Sequence, residues 1–271
     1  MANESQQVWM QDLTWQEVEE HLERDSTVLI PVGSTEQHGP AGVLGVDSYV
    51  AITIAEDVAQ RTGVLCAPPI WYGDSAHHAA FPGTVTIRPE TLGALVRDVC
   101  TSLARHGFDK MVLINGHKGS NLPALVASAR YLHEDTLPGV MLAVADPLHL
   151  ARSVAPQIKE TNEHHAGELE LSHIHYRYPD LIRTDRLTDA SVDFDEVFGG
   201  FAGNDLFGPA PEGVDIMWSS TEQRRFAPTG SFSSSTGLAA DKGRRYHDHI
   251  VGKLCEVVEW MRGYTGPIGQ Q

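Results

Sequence analysis

Residues that commonly ligate metals recur at intervals along the chain. They are Glu36-Gln37-His38, then Asp47, then His117 after Asn115-Gly116, then the run Glu163-His164-His165-Ala166-Gly167-Glu168. Carboxylates and imidazoles are the donors that Zn2+, Mn2+ and Fe2+ share. Glu36 and His38 are two residues apart, so in an extended loop both project from one side. A carboxylate such as Asp47 can give one oxygen to each of two ions, and two ions about 3.5–4 Å apart can share a hydroxide and polarise a carbonyl together. The supply fits Glu36, Asp47 and His117 around one ion and His38, Asp47 and Glu168 around the other, with open positions for water and substrate. Each residue also has an ordinary reading: Glu36 as a surface carboxylate, Asp47 as a helix cap, His117 as a polar loop residue. Their coincidence beside glycines, which allow close backbone approach, points to metal binding.

These residues follow predicted strand ends, where open α/β sheets collect function. Thr27–Val32 reads as a buried strand, followed by a helix over Asp47–Arg61 that has Asp47 or Ser48 near its cap and is stopped by Gly63. Val64–Pro68 reads as a second strand. Pro89–His106 is an amphipathic helix with Leu92, Leu95, Val96, Val99 and Leu103 at helical spacing and Gly107 beyond it. Met111–Ile114 and Val140–Val144 are further strands, with a helix over Asn121–His133 between them, and Leu238–Met261 closes the chain as an amphipathic helix. This alternation predicts an α/β fold with a mostly parallel sheet covered on both faces. The whole chain, 1–271, reads as one domain with an irregular excursion over about 185–235, rich in Gly, Pro, Ser and Asp and dotted with aromatics. A segment of that kind reads as a lid or an oligomer contact.

The composition excludes several classes. With 41% hydrophobic residues the chain can bury a core, and a net charge of −16 argues against a nucleic-acid partner. No apolar run is long enough to span a membrane, and Met1 to Asp12 lacks the apolar core of a signal peptide. Cys66, Cys100 and Cys255 are sparse and odd in number, which fits a reducing cytoplasm rather than a disulfide framework. Neither a dinucleotide fingerprint nor a P-loop occurs. His133, His149, His173, His175, His247 and His249 fall on helical or surface stretches and lack an evident partner for chemistry.

Gly33-Ser34-Thr35-Glu36-Gln37-His38-Gly39-Pro40 followed by Asp47 resembles the signature of the creatininase family. So do Phe81-Pro82-Gly83-Thr84, Asn115-Gly116-His117 and His165-Ala166-Gly167-Glu168, in that order. The similarity runs from about Val28 to Leu181, with a weaker echo in Ala239-Ala240-Asp241-Lys242-Gly243-Arg244. The resemblance implies a three-layer α/β/α fold, two divalent ions (Zn, Mn or both, with Fe an option), hydrolysis of a cyclic or linear C–N amide bond, and a homo-oligomer, usually a hexamer. Carried over, the metal ligands are Glu36, His38, Asp47, His117 and Glu168. His165 stands where the family has a histidine that hands a proton to the leaving nitrogen, which makes His165 and Glu168 the expected catalytic pair. Ser75, His77 and His78 resemble a pocket-lining segment in which Ala76 replaces a glutamate, and Trp71 lies just upstream; Ser75, His78 and Trp71 are expected to touch substrate.

Creatininase itself is less similar than its deformylase- and peptidase-type relatives. Where it has Tyr-Glu after the third-strand histidine, this chain has Lys118-Gly119, so Glu168 is the expected replacement ligand. Lys118 either faces the site and reads an anionic group on the substrate or is an ordinary solvated lysine. The expected chemistry is attack on an amide or lactam carbonyl by a hydroxide activated on a binuclear centre. Creatinine amidohydrolase proper, lactone or other hydrolysis on the same centre, and a non-catalytic metal-binding homologue remain as alternatives.

Overall fold

The computed structural model describes residues 7–203, 205–208 and 216–266. The reading of the extreme N-terminus at residues 1–6, and of the excursion at residues 204 and 209–215, lies outside them. The sheet consists of β1 (Thr27–Val32), β2 (Leu65–Cys66), β3 (Lys110–Asn115) and β4 (Met141–Ala145), ordered β2-β1-β3-β4 and parallel throughout. Side chains alternate across it as the pleat requires. Leu29, Val112 and Ile114 pack with α2 (Val46–Thr62), α6 (Glu168–Arg177) and α9 (Ala240–Gly263). Val28, Ile30, Met111 and Leu113 pack on the other face with α3 (Pro89–Arg105) and α4 (Lys118–Tyr131). The result is a three-layer α/β/α sandwich.

Several boundaries differ from the sequence reading, each for a physical reason. Helix α2 begins at Val46 after Gly45, so Asp47 lies inside the first turn, and no side chain caps that end. The Asp47 carboxylate is therefore free to turn towards the loops. Strand β2 keeps only Leu65–Cys66, because Pro68 cannot donate to a ladder. Helix α4 begins at Lys118, three residues before the expected start. Pro123 suggests a later start because proline belongs in a first turn; here it lies within the helix. Helix α1 (Trp15–Leu22), closed by a capping box between Thr14 and Glu17, was not anticipated.

The short helix α5 (Pro147–Leu150) follows β4, and the excursion contains two more, α7 (Phe194–Phe198) and α8 (Ser220–Phe226). Their aromatics build a separate small core of Val192, Phe194, Phe198, Ala227 and Phe232, flanked by Trp218 and Phe226. Phe232 carries this core onto the rings of His78, His164 and His165, so the excursion forms a wall of the site.

Candidate metal centre

The loops after β1 and β3 meet the first turn of α2. A Cβ at Gly116 would stand 1.9 Å from the Asp47 carbonyl oxygen, and one at Gly33 would stand 2.3 Å from Ser48 Cα. Only glycine permits that approach, and it sets Asp47 between Glu36, His38 and His117. Asp47 Oδ1 is 3.3 Å from His38 Nε2, and Asp47 Oδ2 is 3.4 Å from His117 Nδ1. His117 Nε2 is 3.4 Å from Glu36 Oε2, and His165 Nδ1 is 3.6 Å from Glu36 Oε1. Glu36, His38 and Asp47 are buried and His117 nearly so.

Glu36 Oε1 and Oε2, His38 Nε2 and Asp47 Oδ2 are buried and make no hydrogen bond among the described residues. Orphaned buried polar atoms are costly, and four of them converge here. The spacing between the Asp47 oxygens and the two imidazoles, 3.3 and 3.4 Å, also fits an ion. Ligand atoms about 2.0–2.2 Å from a tetrahedral metal stand roughly 3.3–3.6 Å from one another. The backbone fixes the donors: His38 Nδ1–H donates to the Glu36 carbonyl (3.2 Å) and His117 Nε2–H to the Asp74 carbonyl (2.9 Å). Each ring then presents its other nitrogen to Asp47, as metal-ligating histidines do. Three groups have donor atoms within 4.8 Å of one another: Glu36–Asp47–His117, His38–Asp47–Glu170 and Glu36–His38–His165.

Glu168 is not part of this cluster, which corrects the expected ligand set and the expected catalytic pair. Its carboxylate accepts from the Glu160 and Thr161 N–H groups, the latter at 2.8 Å, and from Lys242 Nζ at 2.7 Å. A Cβ at Gly237 would sit 2.0 Å from Glu168 Oε2, so the carboxylate is walled in as well as saturated. Glu170 takes the place facing the cluster: Oε2 accepts from Ala166 N–H at 2.8 Å and stands 3.7 Å from His38 Nε2. Two residues along a helix are about 200° apart, so Glu168 and Glu170 cannot both face one site. The partner that claims Glu168 is 74 residues away, and no local signal names it. Replacing Glu168 by Ala is expected to lower the melting temperature, since breaking a buried ion pair costs about 3–5 kcal/mol, while leaving bound metal in place. Glu170→Ala is expected to do the reverse, losing metal with little change in stability; metal analysis beside thermal unfolding separates the two.

Burial pushes Glu36 up to about 7 despite the His117 charge that opposes it. Burial works against charged imidazoles at His38 and His117, but neighbouring carboxylates outweigh it, raising His38 well above its usual value and His117 to about 10. The outer ring behaves in the opposite way. Burial holds His78 and His165 well below the usual range and brings His77 and His164 to about 4, each with help from nearby cations.

Two glutamines that the sequence reading missed set the tautomers. His165 Nε2–H donates to the Gln37 carbonyl (2.8 Å), leaving the Nδ1 lone pair towards Glu36. The Gln37 and Gln223 amides both donate to His78 Nδ1, at 2.9 and 2.6 Å, so His78 Nε2–H faces Glu36 Oε1 at 3.3 Å. Of the expected substrate residues, Ser75 is buried and bonded to Ser34 Oγ, and His78 is buried behind Glu36. Trp71 lies at the surface, its ring against Tyr49 and Gly45 rather than the cluster. Lys118 lines a cavity that Glu170 also borders. His173 and His247 are on helices but fully buried, bonded to each other at 2.8 Å.

A parallel three-layer sandwich that gathers carboxylates and imidazoles where its strands end defines an α/β protein with a candidate metal centre. The creatininase family profile, described as creatinine amidohydrolase, matches residues 11–258, and the chain belongs to that family. It is 27% identical over 266 residues to a 3-dehydro-scyllo-inosose hydrolase from Thermotoga maritima, covering 96% of this chain and 74% of that protein. It is 34% identical over 255 residues to a mycofactocin precursor peptide peptidase from Mycobacterium ulcerans, covering 89% and 88%. A manganese creatininase and a mutant creatininase of Zn-Zn type each superpose with a TM-score of 0.79 at 25% identity, covering 96% of this chain and 100% of theirs. Among the described residues no helix is long and apolar enough to cross a membrane.

Proposed function

We propose that this protein is a metal-dependent hydrolase that cleaves a C–N amide bond, cyclic or linear, with two divalent ions of the zinc or manganese kind held by Glu36, His38, Asp47, His117 and Glu170. The observation that carries this reading is a set of buried atoms on Glu36, His38 and Asp47 that lack hydrogen bonds, in side chains whose ligand atoms gather in threes within 4.8 Å of one another. The creatinine amidohydrolase family profile and the similarity to a hydrolase and a peptide peptidase support it. When bound, the ions supply Lewis-acid activation of a water and of the scissile carbonyl oxygen.

The rest of the work falls to the chain. Water adds to the carbonyl carbon, the C–N bond breaks, and the products are an acid and an amine. His165 is partly buried and neutral, with its Nδ1 lone pair towards Glu36 and its other nitrogen fixed by the Gln37 carbonyl. It can accept the proton that the water loses and deliver it to the departing nitrogen. His78 Nε2–H, held by Gln37 and Gln223, orients Glu36. The Phe232 ring packs edge-on against His165 and shields part of it from water.

The test combines metal analysis of the purified protein with turnover of creatinine, N-formyl amides, short peptides, lactones and phosphoesters. Hydrolysis confined to amides, together with bound divalent metal, supports the reading; a metal-free protein that still turns over amides sinks it. His165→Ala is expected to lower kcat by about 100- to 10,000-fold, the usual contribution of a general acid–base, with metal content kept. Loss of metal in that variant would make His165 a ligand instead.

A further inference from the structure

Lys118, the first residue of α4, is only partly exposed, and its ammonium makes no hydrogen bond or ion pair among the described residues. It lines a cavity of about 40 Å³ whose wall includes Asn115, Asp146, Glu163, His164 and Glu170. One ordered water needs roughly 10–15 Å³, so the cavity has room for a group of carboxylate size. Glu170 belongs to this wall and to the candidate metal centre, so one bound molecule could occupy both.

The polar groups of the wall divide by whether they have partners. Asp146 Oδ1 accepts from Leu148 N–H at 3.1 Å, and its Oδ2 stands 2.8 Å from His149 Nδ1. Glu163 accepts from Leu169 N–H at 2.9 Å and from Glu170 N–H at 3.1 Å. Glu170 accepts from Ala166 N–H at 2.8 Å. Asp146 Oδ2 makes no hydrogen bond among the described residues, and two donors are left over beside it. Asn115 is 1% exposed; its Oδ1 accepts from His117 N–H at 3.1 Å, but its Nδ2 has no partner. Lys118 has none either. Asp146 is near enough to offset part of the burial that disfavours the charged lysine, without bonding to it. The α4 N-terminus beside them carries no side-chain cap, so the positive end of its dipole adds to the same field. An ammonium, a buried amide N–H pair and an uncapped helix start are donors in search of an acceptor that carries negative charge.

We propose that Lys118 and Asn115 bind a carboxylate carried by the substrate, so that the preferred substrates are acidic amides, such as N-acyl amino acids or lactams bearing a carboxylate, over their neutral counterparts. This rests on the hydrolase reading and adds the substrate class to it. Both residues are specificity determinants that touch the part of the substrate remote from the scissile bond.

The experiment is calorimetric binding to the metal-loaded full chain of two matched pairs: N-formylglycine against N-formylglycinamide, and hydantoin-5-acetate against hydantoin. The wild type is expected to bind the carboxylate member of each pair about 10- to 100-fold more tightly, the strength of a charge-assisted hydrogen bond. Lys118→Met and Lys118→Gln are expected to reduce that ratio to about twofold, and Lys118→Arg to keep most of it; the glutamine variant guards against a loss caused by misfolding. Three outcomes overturn the proposal: equal affinity for both members in the wild type, no binding of either carboxylate, or a ratio that survives in both neutral variants, which would place the anion on the ions. Turnover of the same probes by the wild type keeps the two readings apart. Charge-selective binding without turnover counts against the hydrolase, and turnover without charge selectivity counts against Lys118 alone.

Discussion

Asp47→Ala is expected to strip the protein of tightly bound divalent metal and to lower turnover by at least about 1,000-fold, since losing a mere supporting partner of a ligand already costs 10- to 100-fold in metal affinity or activity. The effect is large because Asp47 faces both histidines: one oxygen is 3.3 Å from His38 Nε2 and the other 3.4 Å from His117 Nδ1. Two of the three donor groups with ligand spacing lose a member at once. The same change reaches the metal-free protein. Burial opposes a charged Asp47, but the His38 and His117 charges hold its carboxyl well below the usual range. Removing it leaves two buried imidazolium groups short of a counter-charge, and breaking a buried pair from one side costs about 3–5 kcal/mol. The alanine variant should therefore unfold at a lower temperature than wild type even when both are free of metal. Metal analysis, steady-state turnover and thermal unfolding in chelator measure the three effects. Stoichiometric metal in the alanine variant would mean that these residues are not a metal centre.

The sheet was the most legible part of the fold. Strand β1 runs over Thr27–Val32 as its apolar, β-branched run indicates, and β3 and β4 differ from their predicted ranges by a residue at either end. Strands covered on both faces show as continuous apolar runs, which nothing else in this chain imitates. Helix α6 was illegible for the converse reason. Packed between α2 and α9, it buries Glu168, Leu169, Leu171, Ser172, His173 and Ile174 on several sides, so no apolar stripe marks it. Its polar side chains face inwards, towards Lys242, the candidate centre, and Thr53 and His247, both of which bond to His173.

The site divides in the same way. Glu36 and His38 follow β1, Asp47 lies in the first turn of α2 and His117 follows β3, and sequence position alone brings them near one another once the strands are placed. Gln37 and Gln223 are 186 residues apart and share His78 Nδ1, a meeting that only the folded excursion creates. The choice between Glu168 and Glu170 depends on helical phase and on a distant lysine. Four members of the cluster were thus readable, and Glu170 and the residues that hold the others in place were not, because their placement depends on helical phase and on packing between distant segments.

Removing the metal should cost stability in proportion to pH. In the metal-free protein burial opposes charge on His117, yet Glu36 and Asp47 lift it to about 10, against 6.5 unfolded. A folded value above the unfolded one gives stability that is complete below pH 6.5 and is lost as pH rises towards 10. His38 shifts in the same direction. Glu36, raised by burial from 4.5 to about 7, has the same sign over a lower window. The metal-free protein therefore melts at progressively lower temperature from about pH 6.5 upwards. The loaded protein follows the opposite trend in affinity. An ion needs neutral imidazoles and charged carboxylates, so it expels the protons these groups hold, and its affinity climbs by about tenfold per pH unit for each proton expelled. Tighter binding to the folded state alone raises apparent stability by mass action. Thermal unfolding with and without chelator, at pH 6, 7, 8 and 9, is expected to show two curves that diverge as pH rises. Calorimetric titration of metal into the stripped protein at pH 7 is expected to release at least about one proton per ion, seen as a dependence on buffer ionisation enthalpy. Curves that stay parallel, or an ion that binds without proton release, would mean that His38 and His117 are not its ligands.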